Sequence, residues 1–128
     1  MGRLRLRPTD SELAILRILW ERGPSTVRQV HEALAETRDT GYTTTLKLMQ
    51  IMADKGLVKR DESARTHIYA ALATEQQTQR QLVRDLVDRA FGGSAAALVL
   101  HALKGDGASP AELKEIRKLI DDYREKRQ

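Results

Sequence analysis

The 128-residue chain contains no cysteine, which excludes disulfide frameworks, thiolate metal clusters and cysteine nucleophiles together. Aromatic side chains are scarce. Three tyrosines, one tryptophan and one phenylalanine make 4% of the residues, too few to suggest an aromatic cage for a small ligand or a platform for stacking single-stranded bases. No apolar run approaches the ~20 residues that span a bilayer. The basic start Arg3-Leu4-Arg5-Leu6-Arg7 meets Pro8 instead of the apolar segment of a signal peptide, so a cytoplasmic protein is expected. His31, His67 and His101 are dispersed, with no His-x-x-x-His or paired-carboxylate spacing, and Gly92-Gly93 lacks the lysine of a phosphate-cradling loop. Neither an enzyme nor a metal or other cofactor is expected.

What remains is a small chain, 41% hydrophobic, with a modest core and charges of both signs. Its net charge of +4 is unevenly spread. Residues 1–73 hold 12 basic and 9 acidic side chains, whereas residues 74–128 hold 10 and 9. The excess therefore sits mostly in the first half, where it favours an anionic partner.

Thr9 with Glu12 forms a capping-box pattern, and Leu13, Ile15, Leu16, Leu19 and Trp20 follow at helical spacing up to Gly23-Pro24, predicting a helix over 10–22. Thr26 with Gln29 repeats the cap, and Val27, Val30, Ala33 and Leu34 give a second helix over 27–36. A third is expected from Thr43 or Thr44 to Lys55, closed by Gly56. Leu57 to Arg60 and Thr66 to Tyr69 are β-compatible runs joined by Asp61 to Arg65, the pattern of a hairpin that needs the helices for support. From Thr74 onward the pattern is helical: a long stripe of Leu82, Val83, Leu86, Val87 and Ala90 ending at Gly92-Gly93, then an apolar helix from Ala95 to Leu103. Gly105-Asp106-Gly107 reads as a plain turn, and Ser109-Pro110-Ala111-Glu112 opens a last helix.

The chain is thus expected to be mainly α with a small β-hairpin. Three helices followed by a hairpin is the order of a winged helix-turn-helix DNA-binding domain, here residues 1–73. In such a domain the third helix enters the major groove. On a helical wheel Thr45, Leu48, Met49 and Met52 share one side, which leaves Thr43, Lys47, Gln50 and Asp54 outward with Thr44 and Ile51 flanking. Threonine hydroxyls suit phosphates or bases, Gln50 pairs with adenine, Lys47 takes guanine or a phosphate, and Ile51 touches a thymine methyl. Arg28, Lys59, Arg60, Arg65 and the arginines at 3, 5 and 7 are candidates for one basic rim. Tyr42 either meets the phosphate backbone or staples the helix entry, and Tyr42, Tyr69 and Tyr123 are expected outside the core. Residues 74–128 are too short for an independent core. They are expected to form a three-helix dimerisation region with a second copy, through Leu82, Leu86, Phe91, Leu98, Leu100, Leu113, Ile116 and Ile120.

Over nearly its whole length the chain resembles the penicillinase repressor family of bacterial transcriptional regulators, the BlaI/MecI type. Glu12 to Trp20 is similar to the family's first helix with its closing tryptophan, and Val27-Arg28-Gln29-Val30 to the second. Tyr42-Thr43-Thr44 and Lys55-Gly56-Leu57-Val58 resemble the frame of the recognition helix, and Arg65 followed by Tyr69 the wing. Leu98-Val99-Leu100 and Ser109 to Leu119 resemble the dimerisation region. The resemblance implies a homodimeric repressor on a palindromic double-stranded DNA operator, associated with β-lactam resistance or another sensor-regulated operon. It also implies relief of repression through a membrane sensor protease and cleavage between an asparagine and a phenylalanine. His101 and Ala102 stand at those positions here. Relatives with threonine and arginine in place of Lys47 and Ile51 imply a different operator preference, and the cysteine-rich copper motif of one branch is absent.

Two other functions fit the pattern. A small-molecule-responsive regulator would use the apolar helix from Ala95 to Leu103 as a pocket wall, where the alternative is dimer core. A protein-interaction adaptor would carry the winged helix without touching DNA.

Overall fold

Local capping chemistry decides where the helices of the computed structural model begin; residues 7–105 and 107–127 are described. Helix α1 spans Asp10–Arg22. Thr9 Oγ1 accepts from the Glu12 amide at 3.2 Å while Glu12 Oε1 accepts from the Thr9 amide at 2.9 Å, so two amides without helical partners are satisfied reciprocally. Thr26 and Gln29 do the same for α2, Val27–Leu34. This helix ends two residues before the expected 36, because the chain tightens into short turns: the Glu36 amide donates to Ala33 O and the Thr37 amide to Leu34 O. Helix α3, Tyr42–Lys55, starts just before the expected threonines and has Gly41 as a cap without a side chain. It stops at Gly56, whose φ of 82° is the left-handed conformation that a glycine adopts without a Cβ penalty.

Strands β1 (Val58–Asp61) and β2 (Ile68–Ala71) pair antiparallel, with Val58 opposite Ala71 and Arg60 opposite Tyr69. The hairpin is anchored at three places. The Ser25 amide donates to Tyr69 O at 2.9 Å and the Tyr69 amide to Ser25 O at 2.8 Å, so the segment between α1 and α2 adds a strand-like bridge. Beyond the hairpin, the Leu72 amide donates to Leu57 O at 3.1 Å. Finally, the Tyr69 ring is 1% exposed and packs in the core with Ile15, Leu16, Leu19, Val27, Val30, Leu34, Met49, Met52 and Val58. The expectation that Tyr69 lies outside the core is corrected: on this strand it alternates inward. Helices α1–α3 with this hairpin are a winged helix-turn-helix.

Trp20 Nε1 donates to Ala73 O at 2.9 Å, fixing the exit from β2. Helix α4, Glu75–Ala90, follows, its start boxed by Thr74 and Gln77. Backbone contacts divide the chain within α4 into one unit ending at Leu82 and another beginning at Val83.

In the second unit, Gly92 and Gly93 have φ of 57° and 84° and end α4, with the Gly93 amide bonded to Val87 O at 2.9 Å. Ser94 caps α5, Ala95–Lys104, through the Ala97 amide. Helix α6, Pro110–Lys126, opens on the Ser109/Glu112 capping box with proline in its first turn. Asp106, expected within a turn, lies outside the described residues. Among the described residues from Val83 onward only Val87 is buried, while Val83, Leu86, Val99, Leu100, Leu113, Leu119, Ile120 and Tyr123 are exposed.

Candidate nucleic-acid interface

The two faces of α3 differ in chemistry as the wheel predicts. Thr45, Met49 and Met52 are fully buried and Leu48 is half-buried, which leaves Tyr42, Thr43, Thr44, Lys47, Gln50, Ile51 and Asp54 exposed. Burial of the inner residues therefore fixes the rotation of the helix about its own axis. The outer row offers hydroxyls, one amide, one ammonium and one branched alkyl group. That set can bond to phosphates and to base edges and can touch a thymine methyl.

Both ends of α3 are tied down. At its C-terminal end Lys55 Nζ donates to Glu12 Oε1 at 2.8 Å and Oε2 at 2.9 Å. Glu12 is 2% exposed, so this charge is held out of water against its partner. Burial pushes the Glu12 carboxyl up, but the Lys55 ammonium and the Thr9 amide outweigh it and hold the group below its ordinary range. One side chain thus caps α1 and clamps the last turn of α3. Its sequence signal was the capping box alone, since nothing in spacing links residues 43 apart.

At the N-terminal end the Arg28 guanidinium carbon lies 5.5 Å from the centre of the Tyr42 ring, and the His31 ring meets the same tyrosine edge to face at 5.6 Å. His31 Nδ1 is 3.3 Å from Thr45 Oγ1, which also lies 3.2 Å from Gly41 O. The sequence singles out Arg28 and Tyr42 but shows His31 only as one of three dispersed histidines. It is half-buried between α2 and α3, in a position that only the packing of the two helices reveals.

The wing divides the remaining basic candidates. Lys59 and Arg65 are exposed. Arg60 Nε instead donates to Glu62 Oε2 at 2.8 Å, and the Tyr69 hydroxyl together with Glu62 raises the guanidinium above its ordinary value. Arg60 is therefore removed from the expected rim of open cations. Asp61 accepts from the Ser63 amide at 2.9 Å, which lowers its carboxyl and shapes the start of the wing loop. Arg7 is exposed, while Arg3 and Arg5 lie outside the described residues. Among the described residues no three His, Asp or Glu side chains form a metal site, and no single helix is long and apolar enough to cross a membrane.

Of the residues expected to dimerise, Leu86, Leu100, Leu113 and Ile120 are exposed and Leu82, Phe91, Leu98 and Ile116 half-buried. On α6, Leu113, Ile116, Ile120 and Tyr123 recur at alternating steps of three and four, the seam spacing of paired helices. Phe91 meets His101 at 5.6 Å between ring centres.

The family model described as penicillinase repressor matches residues 8–122. A transcriptional regulator BlaI of Mycobacterium tuberculosis is 38% identical over 105 residues, covering 80% of this chain and 76% of that protein. A penicillinase repressor of Bacillus licheniformis is 18% identical over 119 residues, 93% of each chain. Among solved structures, the DNA-binding domain of the repressor BlaI is similar over 56% of this chain and 90% of that one, at 19% identity and a TM-score of 0.49.

Proposed function

Because the chain belongs to the penicillinase repressor family of transcriptional regulators, we propose that it represses transcription by binding a palindromic operator as a homodimer. The observation that carries the DNA-reading part is the outer row of α3. Thr43, Thr44, Lys47, Gln50 and Ile51 face solvent on a helix whose rotation is locked by buried Thr45, Met49 and Met52. In this reading α3 enters the major groove, Arg28 and Tyr42 meet the phosphates beside it, and Arg65 on the wing touches the flanking backbone. The family is one of repressors, not enzymes.

Residues 1–73 are taken as the DNA-binding module and residues 74–128 as the dimerisation region. The exposed apolar residues of α4–α6 support a second copy as their cover, since patches of this kind on a soluble regulator mark contact surfaces. A palindromic operator follows from the two-fold symmetry of such a dimer. A cytoplasmic location and a target operon for β-lactam resistance complete the reading, with a membrane sensor protease as the source of derepression. Since His101 and Ala102 occupy the positions implied for cleavage, the masses of any fragments formed on induction test that last step.

The experiment is recovery of bound genomic DNA followed by binding to the enriched duplex over a salt series. Enrichment of one palindromic promoter site, with affinity falling steeply as salt rises, is expected. Scattered recovery of non-promoter DNA would overturn the repressor reading.

A further inference from the structure

The Arg28–Tyr42 contact needs something to hold the tyrosine. Tyr42 is the first residue of α3 and 41% exposed, and its helix is capped by a glycine with no side chain to fix the entry. A ring in that position is free to swing away, and the guanidinium above it would lose its platform. The constraint comes from α2. His31 sits three residues after Arg28 on that helix and presses on the same ring, at 5.6 Å and an interplanar angle of 80°.

The imidazole is itself held. Thr45 Oγ1 donates to Gly41 O at 3.2 Å, which uses its single proton. The 3.3 Å contact with His31 is then made by Nδ1–H donating to Oγ1, an assignment that follows from the hydroxyl's one donor. Thr45 is fully buried, so this anchor is part of the rigid inner face of α3. A chain of contacts therefore runs from the core through Thr45, His31 and Tyr42 to the exposed Arg28.

We infer that His31 is a positioning residue for DNA binding: anchored on Thr45, it fixes the Tyr42 ring and through it the Arg28 guanidinium at the phosphate backbone. The inference rests on the proposed DNA reading, in which Arg28 and Tyr42 contact phosphate. It adds a residue that does not itself touch the duplex.

A double-mutant cycle on the full chain tests it, with a mixed-sequence duplex of about 40 base pairs as probe, because phosphate contacts are independent of sequence. Arg28→Ala is expected to weaken binding about tenfold, the loss of one charge-assisted contact. His31→Ala is expected to weaken it about threefold, the scale of a cation–π platform. The double variant should fall well short of the product of the two single losses, because without the guanidinium His31 still holds Tyr42 but no longer positions the charge. Two independent losses would instead multiply to about thirtyfold and overturn the inference. His31→Asn keeps an N–H near the Nδ1 position but lacks the ring that meets Tyr42, so it should weaken binding about as much as His31→Ala. Parent-like binding by His31→Asn alongside a loss in His31→Ala, with unchanged thermal stability in both, would also overturn it. If Arg28→Ala binds like the parent, the DNA reading at this edge fails, and the positioning role with it. If Arg28→Ala weakens binding and the cycle is additive, only the positioning role fails.

Discussion

The winged-helix unit and the residues that follow it handle their apolar side chains in opposite ways. In the first, ten apolar residues from three helices and two strands close over one another, with Tyr69 and Met49 essentially inaccessible. From Val83 onward a single described residue, Val87, is buried, while Leu119 and Tyr123 are 69% and 60% exposed. Both stretches form well-capped helices, so local propensity does not separate them. The difference is whether the chain supplies its own cover. A helix satisfies its backbone alone, but its apolar stripe is stabilised only against another surface. The first unit finds that surface within itself, and the proposed dimer supplies it for the second.

The comparison is broken most directly by charging the second surface. Leu113→Asp with Ile120→Asp should turn a dimer into a monomer in sedimentation equilibrium and reduce operator affinity by more than about 100-fold, because the two reading units lose their linkage. Binding that survives in a chain proven monomeric would mean that the exposed stripes serve something else. In the first unit the expected loss is one of stability. Met49→Ala removes a fully buried side chain and should lower the unfolding free energy by about 2–5 kcal/mol in urea titration, with no change in oligomeric state.

Glu12 sharpens the contrast at a polar site. Its carboxyl is held below its ordinary value of 4.5, so its pairing with Lys55 contributes fully above that value and is lost as the pH falls through the lower folded value. Denaturant midpoints of the parent should therefore drop through this acid range. Glu12→Gln should remove this part of the drop and cost about 2 kcal/mol at pH 7, the scale of hydrogen bonds to charged groups. An unchanged acid profile in the variant would remove the clamp from the account of α3.

The remaining effects are on DNA preference and affinity at the open face. Lys47→Ala and Gln50→Ala should change which operator is preferred, by about 1–3 kcal/mol of discrimination each, in competition binding between duplexes. Arg65→Ala should weaken all duplexes alike and reduce the salt slope by about one. Glu62→Gln should do the reverse, freeing Arg60 while changing stability by no more than about 0.5 kcal/mol.

The capping boxes at Thr9, Thr26 and Ser109 and the glycine stop at Gly56 were all legible, because each is written within four residues of sequence. The outer face of α3 was legible for a similar reason: helical periodicity sorts Lys47 and Gln50 from Met49 and Met52 before any packing is known. What escaped were side chains whose partners are distant in sequence. Glu12 reads as a cap until Lys55 arrives beside it, and His31 is one of three scattered histidines until α2 and α3 pack. Tyr69 was misjudged because its β-run has no apolar alternation around it: Ala70 and Ala71 are too small to reveal which face points inward. Arg60 was misjudged because a count of cations does not register a neighbouring carboxylate.

The joint between α3 and the hairpin consists of only Gly56 and Leu57, and it is braced from both sides by the Leu57 amide on Met52 O at 2.9 Å and the Leu72 amide on Leu57 O. Helix and wing are therefore set like the jaws of a caliper that cannot open. On the proposed reading, a duplex that presents the wrong groove width must bend or twist to meet both jaws at once. Sequences that deform easily would then be favoured at base pairs no side chain reaches.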